Sequence, residues 1–528
     1  MTARLLMVQG TSSSAGKSLT VAALCRIYAR RGLRVAPFKA QNMSNNAAVC
    51  ADGGEIGRSQ ALQAEAAGIE PTCDMNPILL KPEADSRSQI IVRGRPWRTL
   101  PARDYFRVRD ELWPIVSESL ATLRSQYDLV VIEGAGSPAE LNLNADEIVN
   151  MAVARHCHAP VLLVGDIERG GIFAQLLGTL WLLSASDRAL VQGLVVNKFR
   201  GDRSLFDSGV TILEERGGVP VFGVIPWLPD LDLPEEDGQP LAERTADNAA
   251  SGQIDIAIIR LPRIANFDDF DPLRTEPGVA VRYVSTAAEL GHPAVLILPG
   301  TKSTVADLAW LRATGLAARL LELHALGTTI VGICGGYQML GERICDPLGL
   351  ESSDVNTEGL GLLPVVTRFE HGKKTHQVQA VVVDDRFCPG LMGANLQGYE
   401  IHVGRTDYAN GWLTFQTQAM GEMASRLDGA ISKDGRVWGC YLHGLFANDA
   451  FRQAWLNSLS PSIEKPPRAA PTSTTARREA ALNRLADHFE NVLDLERLEQ
   501  IVWPSSGETV ATEKQSSEPQ WTQSTAEI

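Results

Sequence analysis

A chain of 528 residues, 44% hydrophobic and 21% charged, is long enough for roughly two to four domains, each burying its own core. Its formal net charge of −14 argues against a general nucleic-acid or membrane-surface binder, so an anionic ligand must be held by local basic groups such as Arg87, Arg93, Arg95 and Arg98. The eight cysteines are scattered without a C-x-x-C pair, a usage that fits a reducing cytoplasm, and no signal peptide or membrane span is visible.

Leu5 to Gln9 reads as a buried strand, followed by Gly10-Thr11-Ser12-Ser13-Ser14-Ala15-Gly16-Lys17-Ser18 and a helical pattern from Leu19 to Arg31. Strand, glycine-bounded loop and helix make a phosphate-binding loop, one residue longer than the common G-x-x-x-x-G-K-[ST]. In it, Thr11, Ser14, Ala15 and Gly16 offer backbone to oxyanions, Lys17 neutralises the outer phosphates, and Ser18 supplies a hydroxyl for magnesium. Arg34 to Lys39 reads as a second strand, ending in the polar Gln41 to Asn46, which should face the phosphates as strand ends do in open α/β sheets. Asp52, Glu55 and Gln60 follow, and a solvated loop and helix face accounts for most such residues taken singly.

Tyr127 to Ile132 is an apolar strand ending in Glu133-Gly134-Ala135-Gly136, and an acid at that strand end is where a P-loop enzyme holds magnesium. Two more parallel strands end at Asp166 and at Asn197-Lys198. Asn197 resembles a base-reading asparagine, but position 200 is Arg, so the N-K-x-D guanine signature is missing. His156-Cys157-His158 places adjacent side chains in different directions and does not form a metal cluster. These features predict a P-loop parallel-sheet domain over residues 1–228 and a polar linker over 229–252.

A second α/β domain, flavodoxin-like, is expected over 253–458. In it Ala294 to Leu298 ends in Pro299 to Thr304, and Thr328 to Ile333 leads into Cys334-Gly335-Gly336 and a helix-like run. G-x-C-x-G is a nucleophile elbow with sulfur in place of oxygen. His443, at the end of a strand in the same domain, is the best base, and His402 is second. The amides of Gly335 and of the chain near Gly300 would form an oxyanion hole, which with a Cys–His pair performs acyl transfer. A Pro-rich hinge and an amphipathic helix from Arg477 to Val502 occupy 459–503, and a polar tail over 504–528 is expected to be disordered.

The folded chain resembles the cobyric acid synthase family, glutamine-dependent amidases of cobalamin biosynthesis. The residues that carry the resemblance are Gly10 to Ser18, Gln41 to Asn46, Asp52 to Gly57, Asn76 to Pro82, Glu133 to Gly136, Asp166 to Gly171, Asn197 to Asp202, Pro299 to Thr304, the Cys334 elbow, Gly398 to Gly404 and Tyr441 to Phe446. The related dethiobiotin synthetase fold uses the same extended P-loop. By resemblance, Lys17, Ser18 and Glu133 bind ATP and Mg2+, Asp52 is a second metal contact, Lys39 lies near the transferred phosphate, and Asn197 touches adenine.

The implied reaction is ATP-dependent amidation of a corrin polycarboxylate at its b, d, e and g carboxylates, with glutamine as nitrogen donor, Cys334 as nucleophile and His443 as general base. Many triad amidotransferases carry a glutamate two residues after the histidine. Here that position is Leu445, which leaves a dyad, or Glu400 as a guessed third member. Two alternatives stand beside this reading: a cobyrinic acid a,c-diamide synthase, and a partitioning-type ATPase with a dead amidotransferase domain. The ATPase class expects a lysine where Ser12 stands. The sequence does not set the oligomeric state.

Overall fold

A computed structural model describes residues 2–84, 86–142, 147–229, 231–234, 253–407, 411–419, 422–459 and 473–504. Most of the expected linker, the Pro-rich stretch before the last helices and the tail after residue 504 lie outside them.

The N-terminal domain is built on a six-stranded, all-parallel sheet. From one edge to the other its strands are Val221–Pro226, Val191–Phe199, Val161–Asp166, Arg4–Gly10, Leu129–Glu133 and Val35–Phe38. Apart from Arg4 the central strands are buried, which is why they read as apolar runs without alternation. The order places Arg4–Gly10 between two strands that follow it in sequence, so the phosphate loop, Glu133 and Asp166 share one sheet edge.

A second sheet, Gln41–Met43, Ile78–Ala84, Arg87–Val92 and Arg95–Pro101, stands beside the first. The four arginines expected to offer free positive charge lie on or beside it and are engaged locally. Arg87 faces Glu83, Arg93 reaches Asp74 and Glu118, Arg95 donates to the carbonyls of Asp52 and Gly53, and Arg98 pairs with Glu111.

The C-terminal domain carries its own mostly parallel sheet, ordered Val279–Val284, Ile254–Ile259, Val295–Leu298, Thr329–Ile333, Val437–Cys440 and Ala430–Ile431, with only the last strand antiparallel. Beside it runs an antiparallel sheet of Asn395–His402, Lys374–Val382, Leu413–Ala419 and Glu422–Asp428. This sheet brings the two domains together. Tyr399 and Ile401 pack with Ala47, Val49, Leu79 and Ile91 of the N-terminal domain in one small apolar cluster.

The end of the chain differs from the sequence expectation. Instead of one helix from Arg477 to Val502 there are two, Thr474–Glu490 and Leu495–Val502, because Asp494 caps a new helix by accepting a hydrogen bond from the Arg497 amide. Both pack on the N-terminal domain: Leu482, Leu485, Phe489, Leu498 and Val502 join the core of Val21, Leu24, Ile27 and Tyr28. Arg26 pairs with Glu479, Arg30 with Asp487, and Arg31 with Glu490 and Glu499. Among the described residues no helix is long and apolar enough to cross a membrane.

Candidate active sites

The phosphate loop leaves its strand at Gly10 and enters the helix Lys17–Arg30 through Gly16, whose φ of 99° lies in the left-handed region. A Cβ at Gly16 would sit 2.0 Å from Nδ2 of Asn197, so side chain and loop are packed together. That amide donates to the carbonyl of Ala15 at 2.9 Å, and Lys198 Nζ donates to the carbonyl of Ser14 and to Asp166. Asn197 therefore braces the loop from below. Lys17 Nζ lies 2.8 and 3.0 Å from the carbonyls of Ser12 and Gly136, and the Thr11 hydroxyl donates to Gln175.

Ser18, Lys39 and Glu133 converge. The Ser18 hydroxyl and Lys39 Nζ each lie 2.8 Å from Glu133 Oε1, while the side-chain amides of Gln60 and Gln63 donate to Oε2. Burial alone would raise the Glu133 pKa, but Lys39, Gln63 and Ser18 hold it below the usual carboxylate range. A buried, ionised carboxylate beside a serine hydroxyl and a loop of glycines is a chemically sound donor set for a magnesium nucleotide. Asp52, expected here, stands elsewhere: its Oδ1 accepts from the Gly54 amide and lies 3.9 Å from Cys73 Sγ. Gln60 and Gln63, rather than Asp52, stand beside Glu133.

In the second domain Cys334 caps the short helix Gly335–Leu340 with φ 51° and ψ −110°, a strained conformation for a residue with a Cβ. The turn is closely packed: a Cβ on Gly336 would lie 2.0 Å from the carbonyl oxygen of Leu298. His443 is buried, and a Cβ on Gly300 would sit 3.2 Å from its ring and 3.7 Å from Cys334 Cβ, so the three residues meet. Gly335 packs against the backbone of Thr301. The elbow and the Pro299–Thr304 loop thus line one pocket, together with Gln338 and His402.

The third member of this group is Asp269. Its Oδ2 lies 2.6 Å from Nδ1 of His443 and its Oδ1 accepts from the Gly444 amide at 2.8 Å. Burial works against a charged His443, yet Asp269, with Cys334 adding to it, lifts the pKa to about 10. His443 Nε2 is buried and makes no hydrogen bond among the described residues. Glu400, the guessed third member, is committed to His402, at 3.1 Å from its Nε2, and to Arg426. His402 in turn bonds the Gly404 carbonyl and stacks on Tyr441, so it is fixed away from the role of base.

The N-terminal domain contributes to the same pocket through Asn45 and Lys81. Lys302 pairs with Glu83 at 2.9 Å, and Lys373 and Lys81 both face the buried carboxylate of Glu55. Burial brings the Lys81 pKa down to about 7 despite Glu55, with Lys373 and Lys302 adding to the drop. Asn266 and Asn46 clasp across the boundary, the Asn266 amide donating to Asn46 Oδ1 and the Ala47 amide donating to Asn266 Oδ1.

A P-loop nucleotide domain docked on a Cys–His–Asp amidotransferase domain defines a glutamine amidotransferase joined to a nucleotide-dependent partner. Family models agree with both halves: residues 6–241 match the CobQ/CobB/MinD/ParA nucleotide binding domain, and residues 255–451 the CobB/CobQ-like glutamine amidotransferase domain. The chain is 57% identical over 485 residues to the cobyric acid synthase of Roseiflexus castenholzii, covering 91% of this chain and 97% of that one. It is 56% identical to that of Chloroflexus aggregans over 93% of this chain and 97% of the relative, and 48% identical to that of Moorella thermoacetica over 95% and 97%. The chain belongs to the cobyric acid synthase family, and the expectation of a glutamine-hydrolysing ligase with an ATP-binding domain holds.

Proposed function

We propose that the protein amidates the b, d, e and g carboxylates of adenosylcobyrinic acid a,c-diamide, using ATP and ammonia released from glutamine. The observation that carries this reading is likeness to cobyric acid synthases along both domains, with Asp269 bonded to His443 and both His443 and Cys334 lining one pocket. That likeness sets aside a partitioning-type ATPase and favours the cobyric acid reaction over the a,c-diamide one.

Cys334 attacks the side-chain amide of glutamine, with the amides near Gly335 and Gly300 receiving the developing oxyanion. His443 takes the thiol proton of Cys334 as the sulfur attacks and passes a proton to the departing nitrogen, so ammonia leaves a thioester on Cys334. Neutral His443 then takes a proton from water, which hydrolyses the thioester to glutamate. Asp269 keeps the proton on Nδ1 and so presents Nε2 to the reacting groups.

In the other domain the P-loop amides and Lys17 bind the phosphates, and Lys39 steadies the transferred group. Ser18 and Glu133 would hold a magnesium ion, which offsets charge on the phosphoryl oxygens. A corrin carboxylate attacks the terminal phosphorus of ATP, releasing ADP, and ammonia displaces phosphate from the acyl phosphate to form the amide.

The test is incubation with ATP, magnesium, glutamine and either cobyrinic acid or its a,c-diamide, followed by mass analysis. The diamide should gain four amide nitrogens. Amidation of cobyrinic acid alone, stopping at the diamide, would reassign the protein to the rival reaction.

A further inference from the structure

Arg58 belongs to the N-terminal domain but ends against Asp268 and Tyr399 of the amidotransferase domain. It is the first residue of the helix Arg58–Ala66. Its Nε lies 3.0 Å from Asp268 Oδ2, and its Nη2 donates to the Tyr399 hydroxyl at 2.7 Å and to the Ala47 carbonyl at 3.2 Å. Asp268 immediately precedes Asp269, the carboxylate on His443. Tyr399 stacks on the His443 ring, with centroids 5.2 Å apart and planes within 15°, and exchanges two backbone hydrogen bonds with it. One guanidinium thus touches Tyr399, which stacks on the histidine, and Asp268, the chain neighbour of the carboxylate that holds it.

The same helix reaches the phosphate site. Gln60 and Gln63 donate to Glu133 Oε2, and Gln63 also donates to the Ser18 carbonyl. With Ser18 and Lys39 on Oε1, both oxygens of Glu133 are occupied, so a cation arriving there must displace at least one present donor. Two of the four donors sit within two turns of Arg58 on a single nine-residue helix.

We propose that Arg58 is a positioning residue of the amidotransferase site, through which the helix Arg58–Ala66 couples occupancy of the phosphate site at Glu133 to the His443–Asp269 pair. The inference rests on the proposed function but concerns a separate relationship. A helix is stiff along its length, and a charge buried between Asp268 and Tyr399 has few alternative partners, so a shift of Gln60 and Gln63 is felt at His443. Coupling of this kind makes glutamine hydrolysis respond to a loaded synthetase site.

The test is the rate at which 6-diazo-5-oxo-norleucine, a glutamine-like label, modifies Cys334 with and without magnesium and a non-hydrolysable ATP analogue, in the full chain. The wild type should be labelled severalfold faster with nucleotide, Arg58→Gln should lose that response, and Arg58→Lys should recover part of it. In steady state, Arg58→Gln should lower kcat for glutamine with little change in KM and should alter the pH profile, which general loosening of the fold would not do selectively. If Arg58→Gln fails to fold, Tyr399→Phe keeps the ring and removes only the hydroxyl, and should show a weaker nucleotide response. No nucleotide effect on wild-type labelling, or a full effect in the folded variants, would overturn the proposal. Failure of Cys334 to react in any wild-type sample would instead count against the proposed function.

Discussion

His443 and Asp269, 174 residues apart in sequence, meet at 2.6 Å, and their contact completes a Cys–His–acid group whose acid comes from the opposite end of the domain from the glutamate of many triad amidotransferases. Asp269 fills the role left open by Leu445. Replacing it with Asn keeps the shape but permits the wrong imidazole tautomer, so Asp269→Asn should lower kcat for glutamine hydrolysis by about 10²–10⁴-fold. Steady-state glutamate release measures this, and amidation with free ammonia should fall far less. Glu400→Gln, by contrast, should cost stability through His402 and Arg426 and leave the glutaminase turnover of the folded fraction near wild type.

The same contact gives stability a pH signature. The folded-state pKa of His443 is raised to about 10, against about 6.5 for a free histidine. Between these values the folded chain holds a proton that the unfolded chain has lost, so the stabilisation is complete below about pH 6.5 and is lost as pH rises toward about 10. The difference in thermal midpoint between wild type and Asp269→Asn should therefore be largest near pH 6 and shrink steadily on the alkaline side. A constant difference across that range would disconnect the pair from the titration.

At the phosphate site, Glu133 is the only acid directly bonded to both Ser18 and Lys39 among the described residues. Glu133→Gln should cut ATP-dependent ADP release by about 10²-fold or more and raise the magnesium concentration needed for half-maximal rate. Unchanged magnesium dependence would move the metal to other ligands.

The last helices should be structural parts of the nucleotide domain. Leu485, 1% exposed, packs into the core formed by Leu24 and Ile27. Leu485→Ala should cost about 2–5 kcal/mol, read from the denaturant midpoint of the unfolding transition. A loss below about 0.5 kcal/mol would mean these helices are held only by the surface ion pairs.

What could be read from sequence and what could not follow a physical division. The P-loop and the cysteine elbow are contiguous, and each needs glycine where backbone crowds backbone or a side chain, so their chemistry is written locally at Gly16, Lys17, Ser18 and Gly335-Gly336. Asp269 sits in Phe267-Asp268-Asp269-Phe270, which reads like any acidic turn, and only the fold carries it to His443. Gln60 and Gln63 look like a solvated helix face until Glu133 arrives from 70 or more residues away. Asp52 is expected as a second metal contact only by resemblance, and in the fold the turn at Gly53 and Gly54 places it beside Cys73. The split of the final helix was legible in principle, since Asp494 is a good N-cap, but continuous amphipathicity across Arg477 to Val502 concealed it.

The central claim is that nitrogen freed at Cys334 ends in four corrin amides made at the expense of ATP. It is tested most directly by supplying amide-¹⁵N glutamine or ¹⁵N ammonium with ATP, magnesium and adenosylcobyrinic acid a,c-diamide, to wild type and to Cys334→Ser. Wild type should place four labelled nitrogens from either source, and Cys334→Ser should place four from ammonium and none from glutamine. Labelled amides made from glutamine by Cys334→Ser, or no amidation of the diamide by wild type from either source, would contradict the account.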